Sequence, residues 1–228
     1  MVDAESETQS TPDVDRELTS SGKKSIAAIA LMVFLQLPIA AHLISGDGIT
    51  AQIGREAVYW GFTVVLISYI HFVERRPLTS VRLFKPTWKS LLYGIAAGAI
   101  MIAGMALIYL FVFPLLGVSP VESGMTAVKA QPIWFRLLLV LRAGVFEELY
   151  FRGFMIERLT EIFGVRWIAA GISLAAFTFA HLAYWGWPHL IIAGFGGAVL
   201  TGLYLLRCDL SCNIFAHLLT DAVGFLVG

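Results

Sequence analysis

Long apolar segments recur along the whole sequence and constrain its fold more than any other feature. An α-helix needs about 20 predominantly apolar residues to cross the hydrocarbon core of a bilayer. With 58% hydrophobic and only 14% charged residues and a mean hydropathy of +0.78, the chain differs from an ordinary soluble domain. The sequence therefore predicts an all-α, polytopic transmembrane helix bundle of about seven spans. The predicted spans are 25–44, 57–73, 91–116, 133–159, 167–184, 189–206 and 210–227.

The first residues differ from the rest of the chain. Residues 1–22 are polar and acidic without apolar periodicity, which predicts a disordered tail. Residues 23–228 show no repeat or linker and are expected to form a single transmembrane domain. The most basic connection, 74–89, carries five Lys or Arg residues against one acid. By the positive-inside rule this connection and the N-terminus are cytoplasmic, so we expect a multi-pass protein of the cell membrane, with the connection also contacting lipid headgroups.

Net charge and cysteine content exclude some classes of function. The net charge is zero and the pI is about 7.0, and no basic patch with interleaved aromatic residues is present, so no nucleic-acid partner is expected. Cys208 and Cys212 are the only cysteines. Two thiolates do not complete a tetrahedral metal site, so we interpret them as reduced packing residues.

Small and aromatic residues predict how the helices pack. Gly94 and Gly98 have the GxxxG spacing that permits close helix contact, and Gly194, Ala198 and Gly202 form a second stripe of small residues.

Aromatic residues cluster where the predicted fifth span ends. Tyr184, Trp185 and Trp187 are typical of an interfacial belt, and His189 beside them is interpreted as an interfacial polar residue.

The stretch VFEELYFRG, residues 145–153, places three charges inside an apolar segment. A charge at bilayer depth costs about 2.5–3.5 kcal/mol on insertion scales, so such groups pair or line a polar cavity. Glu148 and Arg152 are separated by four residues and are expected to form an ion pair on one helix face, which leaves Glu147 without a local partner. Arg142 and Gly144 interrupt the pattern of this long predicted helix, 133–159.

Two later spans also carry polar side chains in apolar surroundings. His181 ends the sequence FTFAH, and Asn213, His217 and Asp221 form a stripe along one face of the last span. Such faces turn inward and meet, because lipid offers them no partners. Straight helices place His181 nearer the outer surface and His217 nearer the inner one, whereas tilt or a short helix brings them together.

Together these side chains suit peptide hydrolysis inside the membrane. Glu147 can take a proton from water as a general base, and His181 can share that water or protonate the leaving amine. His217, with Asn213 or Asp221 beside it, can donate hydrogen bonds to an oxyanion.

Three motifs give the sequence a family resemblance. EELYFR fits EExxxR, FTFAH fits FxxxH, and HLLTD fits HxxxN-or-D. In this order they resemble the CAAX protease and bacteriocin-processing family of intramembrane glutamic endopeptidases, similar to the Ras-converting CAAX prenyl endopeptidases. The resemblance covers about residues 133–221.

The resemblance implies a role for each motif residue. Glu147 would activate water with His181 as its partner, His217 and Asp221 would form the oxyanion side, and Glu148 and Arg152 would position the first group. The eukaryotic enzymes have Asn where this chain has Asp221, and an ionised Asp cannot donate a hydrogen bond. Either Asp221 is protonated or it orients His217. The amide of Asn213, a supporting residue on the same face, is a further candidate donor.

Three alternatives stay open on the sequence alone. The same enzyme can use zinc held by Glu147, His181 and His217, although no HExxH motif is present and the main interpretation needs no cofactor. The chain can instead be a non-catalytic bacteriocin-immunity or peptide-binding protein. A transporter has less support, because no inverted repeat is visible. The expected partners are the lipid bilayer and a membrane-anchored or prenylated protein or peptide.

Overall fold

The computed structural model describes Ile29 and residues 44–46, 48–118 and 122–227, and every regular element within this part of the chain is helical. The predicted acidic tail and nearly all of the predicted first span lie outside the described residues. The helices are α1 (Ile49–Val73), α2 (Trp88–Leu116), α3 (Glu122–Lys129), α4 (133–163), α5 (Arg166–Trp185), α6 (His189–Arg207) and α7 (Leu210–Leu226).

Within the described residues, four helices are long and apolar enough to cross a membrane: α1, α2, α5 and α6. The segment α7 is a shorter apolar helix, and α4 is longer but carries the charged stretch. The predicted all-α membrane bundle is therefore confirmed, and the chain is a multi-pass membrane protein. The second predicted span starts earlier than expected, because α1 begins at Ile49 rather than at Ala57.

The contact between α2 and α7 depends on the two glycines of the predicted GxxxG pair. A Cβ atom on Gly94 would lie 2.5 Å from the Cβ of Phe215, and one on Gly98 would lie 2.9 Å from the side chain of Leu219. These distances leave no room for a side chain at either of these two positions of α2. The predicted packing role of Gly94 and Gly98 is therefore confirmed, and it holds α7 at a fixed depth beside α2.

The second predicted stripe of small residues is wrong in register. A Cβ on Gly202 would meet no atom within 4 Å, and one on Gly194 would make only an ordinary contact with Thr178. The close approach occurs instead at Gly197, where a Cβ would lie 2.8 Å from Leu174 and 2.9 Å from Phe177. Which side of α6 faces α5 is set by the neighbouring helices, and an i, i+4 spacing does not contain that information.

The connection between α1 and α2 is tied to α4 and α7 at one end of the bundle, here called the basic end and defined by residues 74–87, 164–165 and 208–209. Arg158 of α4 is fully buried and donates to Glu74 at 2.6 Å and to the Ser80 hydroxyl at 3.0 Å. Further links are Arg76–Glu161, Arg82–Glu157, Arg166–Glu157, Ser90–Asp209 and the Leu210 amide to the Arg82 carbonyl. Part of the basic connection therefore binds protein carboxylates, in addition to any lipid contact.

We expect Gly94→Ala to destabilise the bundle, since its methyl group would collide with Phe215, and overpacking of a core typically costs about 1–3 kcal/mol. Gly61→Ala in α1 is the matched control, because a Cβ there meets no atom within 4 Å. In that open helical position the change is expected to be neutral or stabilising. Thermal unfolding in detergent measures both, and equal melting temperatures for the two variants would contradict the packing role of Gly94.

Candidate active site

The charged stretch lies on an uninterrupted helix. Residues Ala143–Ile156 of α4 are π-helical, with an α-helical segment on each side. The helix continues through Arg142 and Gly144, where the apolar pattern of the sequence is interrupted. Gly144 serves packing, since a Cβ there would lie 2.6 Å from the side chain of Leu218. A π-helix is wider than an α-helix and is often found at functional sites.

Glu148 and Arg152 form the predicted ion pair. Glu148 Oε1 is 2.8 Å from an Arg152 guanidinium nitrogen, and neither side chain has any exposed surface. The guanidinium also donates to the Gly197 carbonyl at 3.2 Å and lies 4.1 Å from the ring centre of Phe177. The pair therefore joins α4 to α5 and α6 behind the wall of the site.

Glu148 also binds α7. Its Oε1 is 2.8 Å from His217 Nδ1, and its Oε2 accepts a hydrogen bond from the Asn213 amide at 3.1 Å. The second amide proton of Asn213 goes to the Leu200 carbonyl at 2.7 Å. Both protons of this amide are thus in use, so donation from Asn213 to an oxyanion would require one of these two bonds to break. Asn213 keeps its supporting position beside Glu148.

Glu147 faces the opposite way from Glu148, into a cavity. Its Oε1 is 3.7 Å from Arg142 and its Oε2 is 3.9 Å from His181 Nε2. Both distances exceed hydrogen-bond length. Glu147 Oε2 is buried and has no hydrogen-bond partner among the described residues. Arg142, five residues earlier on the same helix, is nonetheless within ion-pair distance of Glu147, so the prediction that Glu147 has no local partner is wrong.

The ring of His181 has a defined orientation. Its Nδ1 is 2.8 Å from the carbonyl oxygen of Phe177, and because a carbonyl only accepts, Nδ1 carries a proton. The other nitrogen, Nε2, is directed at Glu147. A backbone bond of this kind selects the ring tautomer.

His217 lies between two carboxylates. Its Nδ1 contacts Glu148, and its Nε2 is 3.6 Å from Asp221 Oδ2. The Phe177 ring centre is 4.7 Å from that of His181 and 6.3 Å from that of His217, so both histidines lie at one site. Straight helices would have placed the two histidines at different depths in the membrane. In the structure they lie close together.

These residues surround a cavity of about 870 Å³. Glu147, His181, His217 and Asp221 line it, whereas Glu148 and Arg152 lie behind its wall. The charged and imidazole side chains of the lining are Arg55, Glu56, Arg142, Glu147, His181, His189, His217 and Asp221. No group of three or more His, Cys, Asp or Glu side chains in the described part of the chain is arranged to hold a metal ion.

The comparison with family models identifies the helices that carry this site. Residues 129–223 match the model described as Type II CAAX prenyl endopeptidase Rce1-like. These residues form an Rce1-like domain. The predicted motif region, 133–221, falls entirely inside it, and the resemblance stated from three short motifs is confirmed. The comparisons with curated proteins and with solved structures found no match.

The match supports a general class of activity, that of a CAAX-type intramembrane protease. All seven predicted site residues lie within it, on α4, α5 and α7.

A buried ion pair that the sequence reasoning missed connects the Rce1-like domain to α1. Arg142 donates from Nε to Glu56 at 2.8 Å, and its guanidinium carbon lies 4.8 Å from the ring centre of Tyr59. The same guanidinium approaches Glu147. Glu56 is only 5% exposed and precedes the matched residues. Glu56 in the apolar helix α1 and Arg142 in α4 are the available signal in the sequence, since charges at this depth need partners.

His189 also lies closer to the site than predicted. Its ring is parallel to that of His181, with centres 5.9 Å apart, and parallel to the indole of Trp185 at 5.0 Å. The interpretation of His189 as an interfacial residue overlooked this stack, because α5 and α6 meet in a tight turn that brings their ends together. Trp185 in turn stacks on Phe225 of α7.

We expect the two adjacent glutamates to differ sharply in their effect on stability. Glu148→Ala leaves Arg152 buried without its carboxylate, and breaking a buried ion pair in this way costs about 3–5 kcal/mol. Glu147→Ala removes a carboxylate without a hydrogen-bonded partner at Oε2, so the fold should be retained with a change of about 1 kcal/mol or less. Chemical unfolding in detergent compares the two variants. Similar losses would show that Glu148 is not the structural member of the pair.

Proposed function

We propose that the chain is an intramembrane endopeptidase that hydrolyses a peptide bond of a membrane-anchored protein or peptide, with Glu147 activating the attacking water. The observation that supports this most is the buried Glu147 Oε2, which faces the cavity without a hydrogen-bond partner among the described residues. It lies 3.9 Å from His181 Nε2, so a single water can contact both atoms.

In the proposed first step, Glu147 takes a proton from this water while the water oxygen forms a bond to the carbonyl carbon of the substrate. His181 holds the water from its other side. The carbonyl oxygen becomes an oxyanion. His217, with a proton on each nitrogen, donates from Nδ1 to Glu148 and from Nε2 to that oxyanion.

In the second step, the tetrahedral intermediate collapses and its C–N bond breaks. The leaving nitrogen takes the proton held by Glu147, with His181 as the relay, and the products are a carboxylic acid and an amine. Arg142, 3.7 Å from Glu147 Oε1, orients the carboxylate and is itself oriented by Glu56. Glu148, Arg152 and Asn213 hold His217 in place without contacting the substrate. This scheme needs no cofactor.

Glu147→Ala and Glu147→Gln are expected to lower cleavage by about 100-fold or more, the scale of a lost general base. The measurement uses purified protein in liposomes with a library of membrane-anchored and prenylated peptides. Wild-type protein is the reference, and unfolding curves confirm that both variants are folded. Full cleavage by either variant would contradict the role of Glu147.

The same assay separates the alternative hypotheses. A chelator that reaches the cavity is expected to leave cleavage unchanged, and loss of cleavage restored by zinc would favour a metal held by Glu147, His181 and His217. A non-catalytic peptide-binding protein would instead bind the peptides without cleaving them, and Glu147→Ala would bind as well as the wild type.

We further propose that Asp221 acts as an anion whose charge, 3.6 Å from His217 Nε2, orients the ring before the oxyanion forms. Asp221→Asn is then expected to lower cleavage by about tenfold, because the amide keeps the shape and polarity of the side chain but loses its charge. Asp221→Leu, which removes the polar group as well, should lower it further. Unchanged cleavage by Asp221→Asn would show instead that Asp221 works as a protonated donor.

A further inference from the structure

The cavity occupies only one end of the helix bundle. Among the described residues, its wall includes none from 60–100, 152–176 or 201–216, the parts of the helices nearest the basic end. It reaches the opposite end, where Arg55 near the start of α1 and Gln131 before α4 belong to its wall. We call this opposite end the cavity end, defined by residues 49–55, 122–136, 184–189 and 223–226.

The candidate site lies close to the cavity end. His181 is four residues from Trp185, the last residue of α5, and its ring stacks on His189, the first residue of α6. Four residues are about one helical turn, or roughly 6 Å along the axis. Since Glu147 lies 3.9 Å from His181, the reacting carboxylate is also close to the level of this turn.

Positive charge is distributed unequally between the two ends. The cavity end carries three Lys or Arg residues: Arg55, Lys129 and Arg136. The basic end and the helix ends around it carry eight: Arg75, Arg76, Arg82, Lys85, Lys89, Arg158, Arg166 and Arg207. In membrane proteins the end richer in Lys and Arg faces the cytoplasm, and acidic neighbours contribute little to this preference. The carboxylates that pair with Arg76, Arg82 and Arg158 therefore do not cancel the signal.

We infer that the active-site cavity opens on the non-cytoplasmic side of the membrane, so that the protease cleaves segments of membrane-anchored proteins that lie just outside the bilayer. The part of this inference that concerns the substrate rests on the proposed proteolytic function. The part that concerns the orientation of the cavity does not depend on that function. The half of the bundle nearest the basic end contains buried side chains and ion pairs, among them Arg158 with Glu74.

Two lysines at opposite ends of the bundle provide a matched pair for testing the orientation. Lys129 and Lys85 are both exposed, and neither belongs to the cavity wall. Lys129→Cys and Lys85→Cys are made in the full chain with Cys208→Ser, because Cys208 is half-buried at the basic end. Cys212 is 1% exposed and is retained. The probe is a membrane-impermeant maleimide, applied to intact and to disrupted bacterial cells.

We expect Lys129→Cys to be labelled in intact cells as fully as in disrupted cells, and Lys85→Cys to be labelled only after disruption. The reverse pattern, or equal labelling of both in intact cells, overturns the inference. The Cys208→Ser parent gives the background from Cys212. None of these labelling outcomes depends on proteolysis. If the protein showed no protease activity, the proposed function would be contradicted, but the labelling would still determine the orientation.

A second arm tests whether substrate enters through the cavity end. Ala130 lines the cavity, and Ala130→Cys carrying a bulky maleimide adduct is expected to lose cleavage of the peptide library to the level of Glu147→Ala. The same adduct on Lys85→Cys should leave cleavage at the level of that variant before labelling. Unimpaired cleavage by the Ala130 adduct, or loss with the Lys85 adduct, would overturn entry from this end.

Discussion

The buried carboxylate of Glu148 is the interaction on which the candidate site depends. It has no exposed surface and binds Arg152 on its own helix together with His217 and Asn213 on α7. A buried charge of this kind is tolerated only when its oxygens are occupied by partners with good geometry. Since those partners come from two helices, satisfying Glu148 also fixes the distance and rotation of α7 relative to α4, and with them the position of His217.

Adjacent glutamates in one sequence motif thus have opposite surroundings. Glu148 is surrounded by donors, whereas Glu147 is held at a distance from both Arg142 and His181 and faces the cavity. Adjacent residues of a helix point in different directions, so one side chain can face the cavity while its neighbour faces α7. Glu148 stabilises this part of the helix, and Glu147 is attached directly to it. The reactive carboxylate is therefore held in place without itself being needed for stability.

The Rce1-like domain does not contain every residue that surrounds Glu147. Glu56 belongs to α1, outside the matched residues, and it binds the Arg142 guanidinium that approaches Glu147. The ion pairs of the basic end likewise attach the connection after α1 to α4. The helices preceding the domain are therefore part of its electrostatic environment as well as of its membrane anchoring.

The sequence by itself determined the helical membrane fold, the pairing of Glu148 with Arg152 and the residues that approach one another, because apolar length, i, i+4 spacing and the exclusion of charge from lipid are local or compositional constraints. Only the tertiary structure decided the unbroken π-helical course of α4, the Arg142–Glu56 pair, the stacking of His189 on His181 and the engagement of the Asn213 amide. Each of these depends on the rotation and depth of one helix against another. Those quantities are set by the packing of many side chains at once, and no single spacing along the chain encodes them.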